Sequence, residues 1–304
     1  MDLITTNGLC KKYGHKLVID HVNMHVPEHS VYGFVGENGS GKTTIMRLLT
    51  GLAEPTAGGY TLFGVNHNSK EIYKVRQQLS AIVETTSLIP TFNAIDNMRF
   101  QEMYLGITLT NEERKELLQK VNLAEVEPNK KVKNYSLGMR QRLGIALALM
   151  NRPKLMLLDE PMNGLDPEGI AELRDLLIDL NQKEGITVLI SSHILSELEK
   201  IASCYGFISK GKIIEEITAE ELQQKCRKCI DIKVSDVPTA EKVLKDLGLD
   251  DYKASSNGEI KIFNDVDVNK LMSALVTNKV NVLTFNSSEE SVEDYYLGLI
   301  KEAK

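Results

Sequence analysis

Gly36-Glu37-Asn38-Gly39-Ser40-Gly41-Lys42-Thr43 fits the pattern G-x-x-x-x-G-K-[ST]. Such a run can wrap a phosphate. Its glycines let consecutive backbone N–H groups turn inward, and a helix starting behind them adds partial positive charge. Lys42 then reaches the β- and γ-phosphates of a nucleotide, and the Thr43 hydroxyl helps to hold Mg²⁺. Gly36, Asn38, Gly39, Ser40, Gly41, Lys42, Thr43 and Thr44 are therefore expected nucleotide contacts. A second chemical group is the carboxylate pair Asp159-Glu160, which ends the apolar run Leu155-Met156-Leu157-Leu158. Asp159 is placed to help hold Mg²⁺, and Glu160 to orient and deprotonate an attacking water as general base.

These residues need rigid elements at both ends. Val31-Tyr32-Gly33-Phe34-Val35 reads as a buried strand, and Thr44 to Thr50 as a helix closed by Gly51. Upstream, Leu3-Ile4-Thr5 and Lys16 to Val26 read as strands; downstream, residues 57–68 suggest a strand and turn, Lys70 to Gln78 a helix, and Leu79 to Val83 a strand. From Phe92 to Leu123 the pattern turns helical, with a capping box at Thr110-Asn111-Glu112-Glu113, and Gly138 to Met150 forms another helix. Asp166-Pro167 caps a helix closed by Gly185, and Ile186 to Ser191 is a strand that delivers His193 at its end. Strands alternating with helices imply an α/β fold with a largely parallel sheet covered on both faces.

After about residue 210 the style changes. Lys210-Gly211-Lys212 reads as a tight turn and Thr218 to Glu221 opens a short helix. Then Ile230 to Val234, Ala240 to Leu247, Glu259 to Phe263, Val268 to Thr277 and Val280 to Phe285 alternate strand and helix, before a helix from Ser291 to Ile300. That is a small α+β unit with no readable chemistry, suited to regulating, dimerising or bracing.

The 304 residues carry 36 Lys and Arg against 42 Asp and Glu, a net charge of −6, which argues against a broad nucleic-acid surface. No stretch approaches the roughly twenty apolar residues of a membrane span, and Met1-Asp2-Leu3-Ile4 lacks signal-peptide order. An intracellular protein that meets the membrane through partners is expected. Cys226-Arg227-Lys228-Cys229 lacks a second ligand pair and reads as ordinary thiols; His21, His25 and His29 read as a polar strand face and a turn.

The ordered set of motifs resembles the ATP-binding subunits of ABC transporters over residues 1–215. It comprises Gly36 to Thr43, Tyr135-Ser136-Leu137-Gly138-Met139-Arg140-Gln141-Arg142, Leu155 to Glu160, Asn163-Gly164-Leu165-Asp166 and His193. The second motif looks like the family's Leu-Ser-Gly-Gly-Gln signature; it departs at Tyr135, Leu137 and Met139 and keeps Ser136 and Gly138. The resemblance implies a β-rich and a helical subdomain (about 85–150) around a phosphate-loop core, with residues 216–304 an accessory α+β domain. It implies a head-to-tail homodimer that binds two ATP, Ser136 and Gly138 of one copy contacting the γ-phosphate held by the other's Lys42. Asp166 and Leu165 would sit at that interface, His193 would contact the γ-phosphate, and Tyr13 would stack on adenine.

Where most members carry Gln, this chain has Glu84, an oxygen ligand for Mg²⁺ that adds negative charge beside the phosphates. That substitution, the Tyr-Ser-Leu-Gly-Met-Arg-Gln-Arg signature and the C-terminal unit resemble the lantibiotic-immunity and bacitracin-resistance exporters. The implied protein is an ATPase bound to separate membrane permeases on the inner face of the cell membrane, coupled through residues 84–105, with no nucleic-acid partner. Its alternatives are an exporter of an unrelated substrate, a soluble ATPase of translation or DNA repair, and a non-catalytic ATP clamp.

Overall fold

The N-terminal strand is longer than its apolar residues suggest, because backbone pairing rather than side-chain pattern extends it. In the computed structural model, which describes residues 1–226, 228–255, 257–264, 266–289 and 291–302, β1 (Asp2–Tyr13) pairs antiparallel with two strands in turn. β2 (Lys16–Val22) takes its second half and β3 (His25–Pro27) its first. The single strand expected from Lys16 to Val26 is thus two. At the break His21 adopts φ 49°, Gly8 N donates to Asn23 Oδ1 at 2.8 Å and Thr6 N to Met24 O at 2.9 Å. The three histidines there each take a separate partner: Asp20 at 2.6 Å for His21, Glu216 at 2.8 Å for His25, and the Gly185 carbonyl at 2.8 Å for His29.

β4 (Val31–Val35) is buried along its whole length and leads through the glycine loop into α1 (Lys42–Thr50). β5 (Ala57–Leu62) and β6 (Val65–Asn66) complete the first sheet, in the order β2-β1-β5-β6. After α2 (Ile72–Arg76) comes β7 (Leu79–Ile82), and then three helices: α3 (Ala94–Leu105), α4 (Asn111–Lys120) and α5 (Leu137–Leu149). The Thr110/Glu113 capping box is formed at α4, with Glu113 N donating to Thr110 Oγ1 at 3.1 Å and Thr110 N to Glu113 Oε2 at 2.8 Å. Between α3 and α4, Arg114 holds Glu102 through two bonds of 2.7 and 2.8 Å.

The chain returns through β8 (Leu155–Asp159), α6 (Pro167–Glu184), β9 (Thr187–Ser192), the short α7 (Leu195–Leu198), β10 (Cys204–Ser209) and β11 (Lys212–Thr218). These build a second sheet in the order β11-β10-β4-β9-β8-β7, parallel except for β11. Its central strands β4, β8 and β9 are buried throughout, which is why apolar residues dominate them without alternating. α1 lies between the two sheets. Its Ile45, Met46, Leu48 and Leu49, all at 0% exposure, pack with Leu9, Ile19 and Leu62 of the first and Leu155, Leu157 and Leu189 of the second. Each such side chain contributes roughly 1.5–3 kcal/mol, so the helix that starts at Lys42 is the best-anchored element near the loop.

Residues 1–219 form one compact unit and 220–302 a second. The second begins within α8 (Ala219–Lys225) and continues with β12 (Lys228–Val234), α9 (Val237–Asp246), β13 (Tyr252–Ala254), β14 (Glu259–Ile262), α10 (Val268–Thr277), β15 (Val282–Glu289) and α11 (Val292–Glu302). β13 is not expected from the sequence, and it changes the topology. With it the chain runs βαββαβ in an antiparallel sheet ordered β13-β14-β12-β15, the ferredoxin-like split βαβ arrangement. Ile230, Ile232, Ile260 and Ile262 form the core of this unit with Leu244 and Leu271. Cys226 and Cys229 are not joined in a disulfide, and Arg227 between them lies outside the described residues.

Candidate nucleotide site

The parallel strands of the second sheet deliver the chemical residues at their C-terminal ends, where open α/β sheets place ligands. β4 opens into the glycine loop. A Cβ on Gly36 would lie 2.5 Å from Ser40 Oγ and 2.6 Å from Ile208 O, so only glycine fits. Gly39 and Gly41 take φ 83° and 116°, a region that L side chains rarely adopt. Asn38 and Gly39 form an exposed tip, while Ser40, Gly41 and Lys42 are buried and Thr44 is half-buried. Lys42 Nζ donates back to Gly36 O at 2.6 Å and Glu37 O at 3.3 Å, spanning the mouth of the loop. Ser40 Oγ is buried with no hydrogen-bond partner. An orphaned hydroxyl, a bridging ammonium and the start of α1 make an anion cradle.

Asp159 and Glu160 meet this cradle from β8. Asp159 Oδ2 accepts from Thr43 Oγ1 at 2.7 Å and Oδ1 accepts from Ser191 Oγ at 2.6 Å. Ser191 Oγ also accepts from Glu160 N at 2.8 Å, so one β9 hydroxyl fixes both carboxylate residues. Glu160 itself sits at φ 48°, a left-handed strain that aims its side chain. Its Oε1 lies 3.2 Å from Lys42 Nζ as an ion pair without an aligned hydrogen bond, and its Oε2 lies 2.7 Å from His193 Nδ1. The structure thus gathers Lys42, Thr43, Asp159, Glu160 and His193. The Thr43 hydroxyl and the Asp159 carboxylate are hard oxygen donors in contact, a set that fits Mg²⁺.

The other sequence candidates lie further out. Glu84 lines a cavity of about 630 Å³ together with Asp159, Glu160, Leu137 and Arg140, and its carboxylate is taken by Arg47. Ser136 is the exposed N-cap of α5, accepting from Met139 N at 3.1 Å, with Gly138 half-buried in the first turn. Asp166, exposed, caps α6 by accepting from Gly169 N at 3.2 Å. Tyr13 is 45% exposed with Lys11 Nζ 5.0 Å from its ring. Sequence reasoning misses Ser191, Arg47 and Gly211. The last, at φ 81° beside Lys210 at φ 48°, makes the β10–β11 turn, and its N–H donates to Ser40 O at 2.9 Å, bracing the loop from behind. Only the Lys-Gly pair carried a readable signal, that of a turn.

A strand–glycine loop–helix cradle beside a strand-end carboxylate pair defines a phosphate-loop nucleotide-binding protein. The family model described as "ABC transporter" matches residues 19–163. The chain is 40% identical to the Bacitracin transport ATP-binding protein BcrA of Bacillus licheniformis, over 98% of this chain and 97% of that one. It is 44% identical to the Lantibiotic transport ATP-binding protein SrtF of Streptococcus pyogenes, over 70% of this chain and 90% of that one. A solved dimeric bacterial ABC transporter cassette superposes with a TM-score of 0.63 at 27% identity, covering 71% of this chain and 98% of its own. This chain belongs to the ABC transporter family, as an ATP-binding subunit that hydrolyses ATP. Among the described residues no helix is long and apolar enough to cross a membrane.

Proposed function

We propose that this subunit powers an exporter of a lantibiotic or bacitracin-like antimicrobial peptide and so protects the cell that carries it. The observation that carries this reading is the extent of the likeness to the bacitracin transport protein, which runs through the C-terminal unit as well as the ATPase core. In this reading residues 1–215 are the ATP-binding domain, with 85–150 its helical part, and residues 216–304 an accessory domain. Lys42 and the loop amides bind the phosphates, Tyr13 stacks on adenine, and Thr43, Asp159 and Glu84 would hold Mg²⁺. When bound, that ion supplies charge neutralisation at the phosphate oxygens. Glu160 accepts the proton of the attacking water on a carboxylate oxygen, and His193 holds that carboxylate in place.

Two copies pair head to tail, so that Ser136, Gly138 and Asp166 of one copy complete the site of the other. The permease docks on the helical part, where α3 exposes Phe100, Met103 and Tyr104 at 52%, 81% and 83%. Exposed apolar side chains gathered on one short helix suit a protein partner. The subunit then sits on the inner face of the membrane without entering it, and nucleic acid has no part. The test uses a tagged Glu160→Gln chain expressed in its host, solubilised in mild detergent with ATP and pulled down. Multi-span membrane proteins are expected; ribosomes or nucleic acid would overturn the transporter assembly. Deleting the gene should sensitise the host to bacitracin or a lantibiotic, and unchanged susceptibility across both classes would overturn the peptide substrate.

A further inference from the structure

Arg47 follows Thr43 by four residues on α1, so the two side chains share one face of the helix. Thr43 reaches Asp159, and one turn further on Arg47 pairs with Glu84. Glu84 follows β7 at φ 68°, a left-handed conformation that costs a non-glycine residue on the order of 1 kcal/mol. Three carboxylate residues, Glu84, Asp159 and Glu160, line the same cavity. Each has a partner of its own: Asp159 accepts from the neutral Thr43 and Ser191 hydroxyls, Glu160 is paired with Lys42, and Glu84 is paired with Arg47.

Stability does not explain the Arg47–Glu84 pair. The side chains are 39% and 54% exposed, and ion pairs so exposed contribute about 0–1 kcal/mol. The guanidinium is held above its usual range by Glu84 first, and the Tyr13 hydroxyl acts on it in the same direction. One arginine is therefore coupled both to the Tyr13 hydroxyl and to the carboxylate assigned to the metal.

We propose that Arg47 is a positioning residue that holds the Glu84 carboxylate one helical turn away from the Thr43–Asp159 pair and yields it to a nucleotide-bound divalent cation. The inference rests on the reading of Thr43 and Asp159 as cation ligands. It gives the glutamate at this position a physical sense. A carboxylate is both a stronger cation ligand and a stronger arginine partner than an amide, so the same group can be held at rest and handed over on loading.

The test measures Mn²⁺ binding to the full chain by electron paramagnetic resonance in the presence of a non-hydrolysable ATP analogue. Arg47→Gln should tighten Mn²⁺ by up to about fivefold, the equivalent of one exposed ion pair. Arg47→Lys, which keeps the charge and loses the fork, should fall between the two. In a Glu84→Gln background the Arg47→Gln change should leave Mn²⁺ affinity within about twofold. An equal shift in both backgrounds would reduce Arg47 to a general charge, and no shift in either would leave it without this role; both overturn the proposal. Asp159→Asn separates the two readings. If it weakens Mn²⁺ by about tenfold or more while Arg47 and Glu84 fail to couple, only the holding role falls. If it has no effect, the cation reading falls as well.

Discussion

Glu160→Gln should lower steady-state ATP hydrolysis by about 10²–10⁴-fold, the usual worth of a positioned general base, while ATP still binds. The substitution keeps the shape of the side chain and an oxygen for His193, which now lies 2.7 Å from Glu160 Oε2. What it removes is the capacity to take a proton and the charge 3.2 Å from Lys42. Losing that charge frees Lys42 for the phosphates, so nucleotide affinity should hold or rise. An ATP-loaded dimer that cannot turn over should then accumulate, visible as a doubling of mass by size-exclusion chromatography with ATP and its absence with ADP. Phosphate release measured beside it decides the role of the carboxylate. Turnover within about threefold of wild type would exclude Glu160 as the base, whatever the dimer does.

The phosphate loop was legible because everything it needs is local: glycines where φ is positive, a lysine and threonine at the helix start, and a buried strand before them. Asp159-Glu160 was legible only in that company: a short apolar run ending in two carboxylates is ordinary by itself, and the phosphate loop before it makes it a strand surfacing into the cleft. The residues that complete the site act across the chain and leave no local trace. Ser191 holds Asp159 from 32 positions away, and Arg47 reaches Glu84 over 37. A serine inside an apolar strand and an arginine on a helix are ordinary until the sheet order is known. The same limit governs the strands. β13, of three residues with Lys253 and Ala254 in it, has too little pattern to announce itself, and only its pairing with β14 makes it a strand. The division of Lys16–Val26 into β2 and β3 is likewise set by the strand both pair with, not by either sequence.

Glu102→Ala should destabilise the chain by about 3–5 kcal/mol, the cost of leaving one half of a buried ion pair. Glu102 and Arg114 are 6% and 8% exposed and share two bonds of 2.7 and 2.8 Å. Removing the carboxylate strands a guanidinium away from water. Replacing both partners together, Glu102→Leu with Arg114→Met, should recover most of the loss, because no unpaired charge then remains. The pH dependence identifies the cause. Arg114 holds the Glu102 carboxyl below its ordinary value of 4.5 against the opposing effect of burial, and holds its own charge more firmly in return. A folded-state pKa below the unfolded one contributes stability that is complete above 4.5 and is lost as pH falls through the depressed value. The gap in urea midpoint between wild type and Glu102→Ala should therefore be widest near neutrality and narrow in acid. A gap that stays constant with pH would assign the loss to packing instead. The pair ties α4 to the C-terminal part of α3, the helix on which Phe100, Met103 and Tyr104 are exposed. If that face meets the permease, the doubly apolar variant should hydrolyse ATP normally and still transport, whereas Glu102→Ala at its melting edge should lose transport at temperatures where the Lys42–Glu160 centre still turns over.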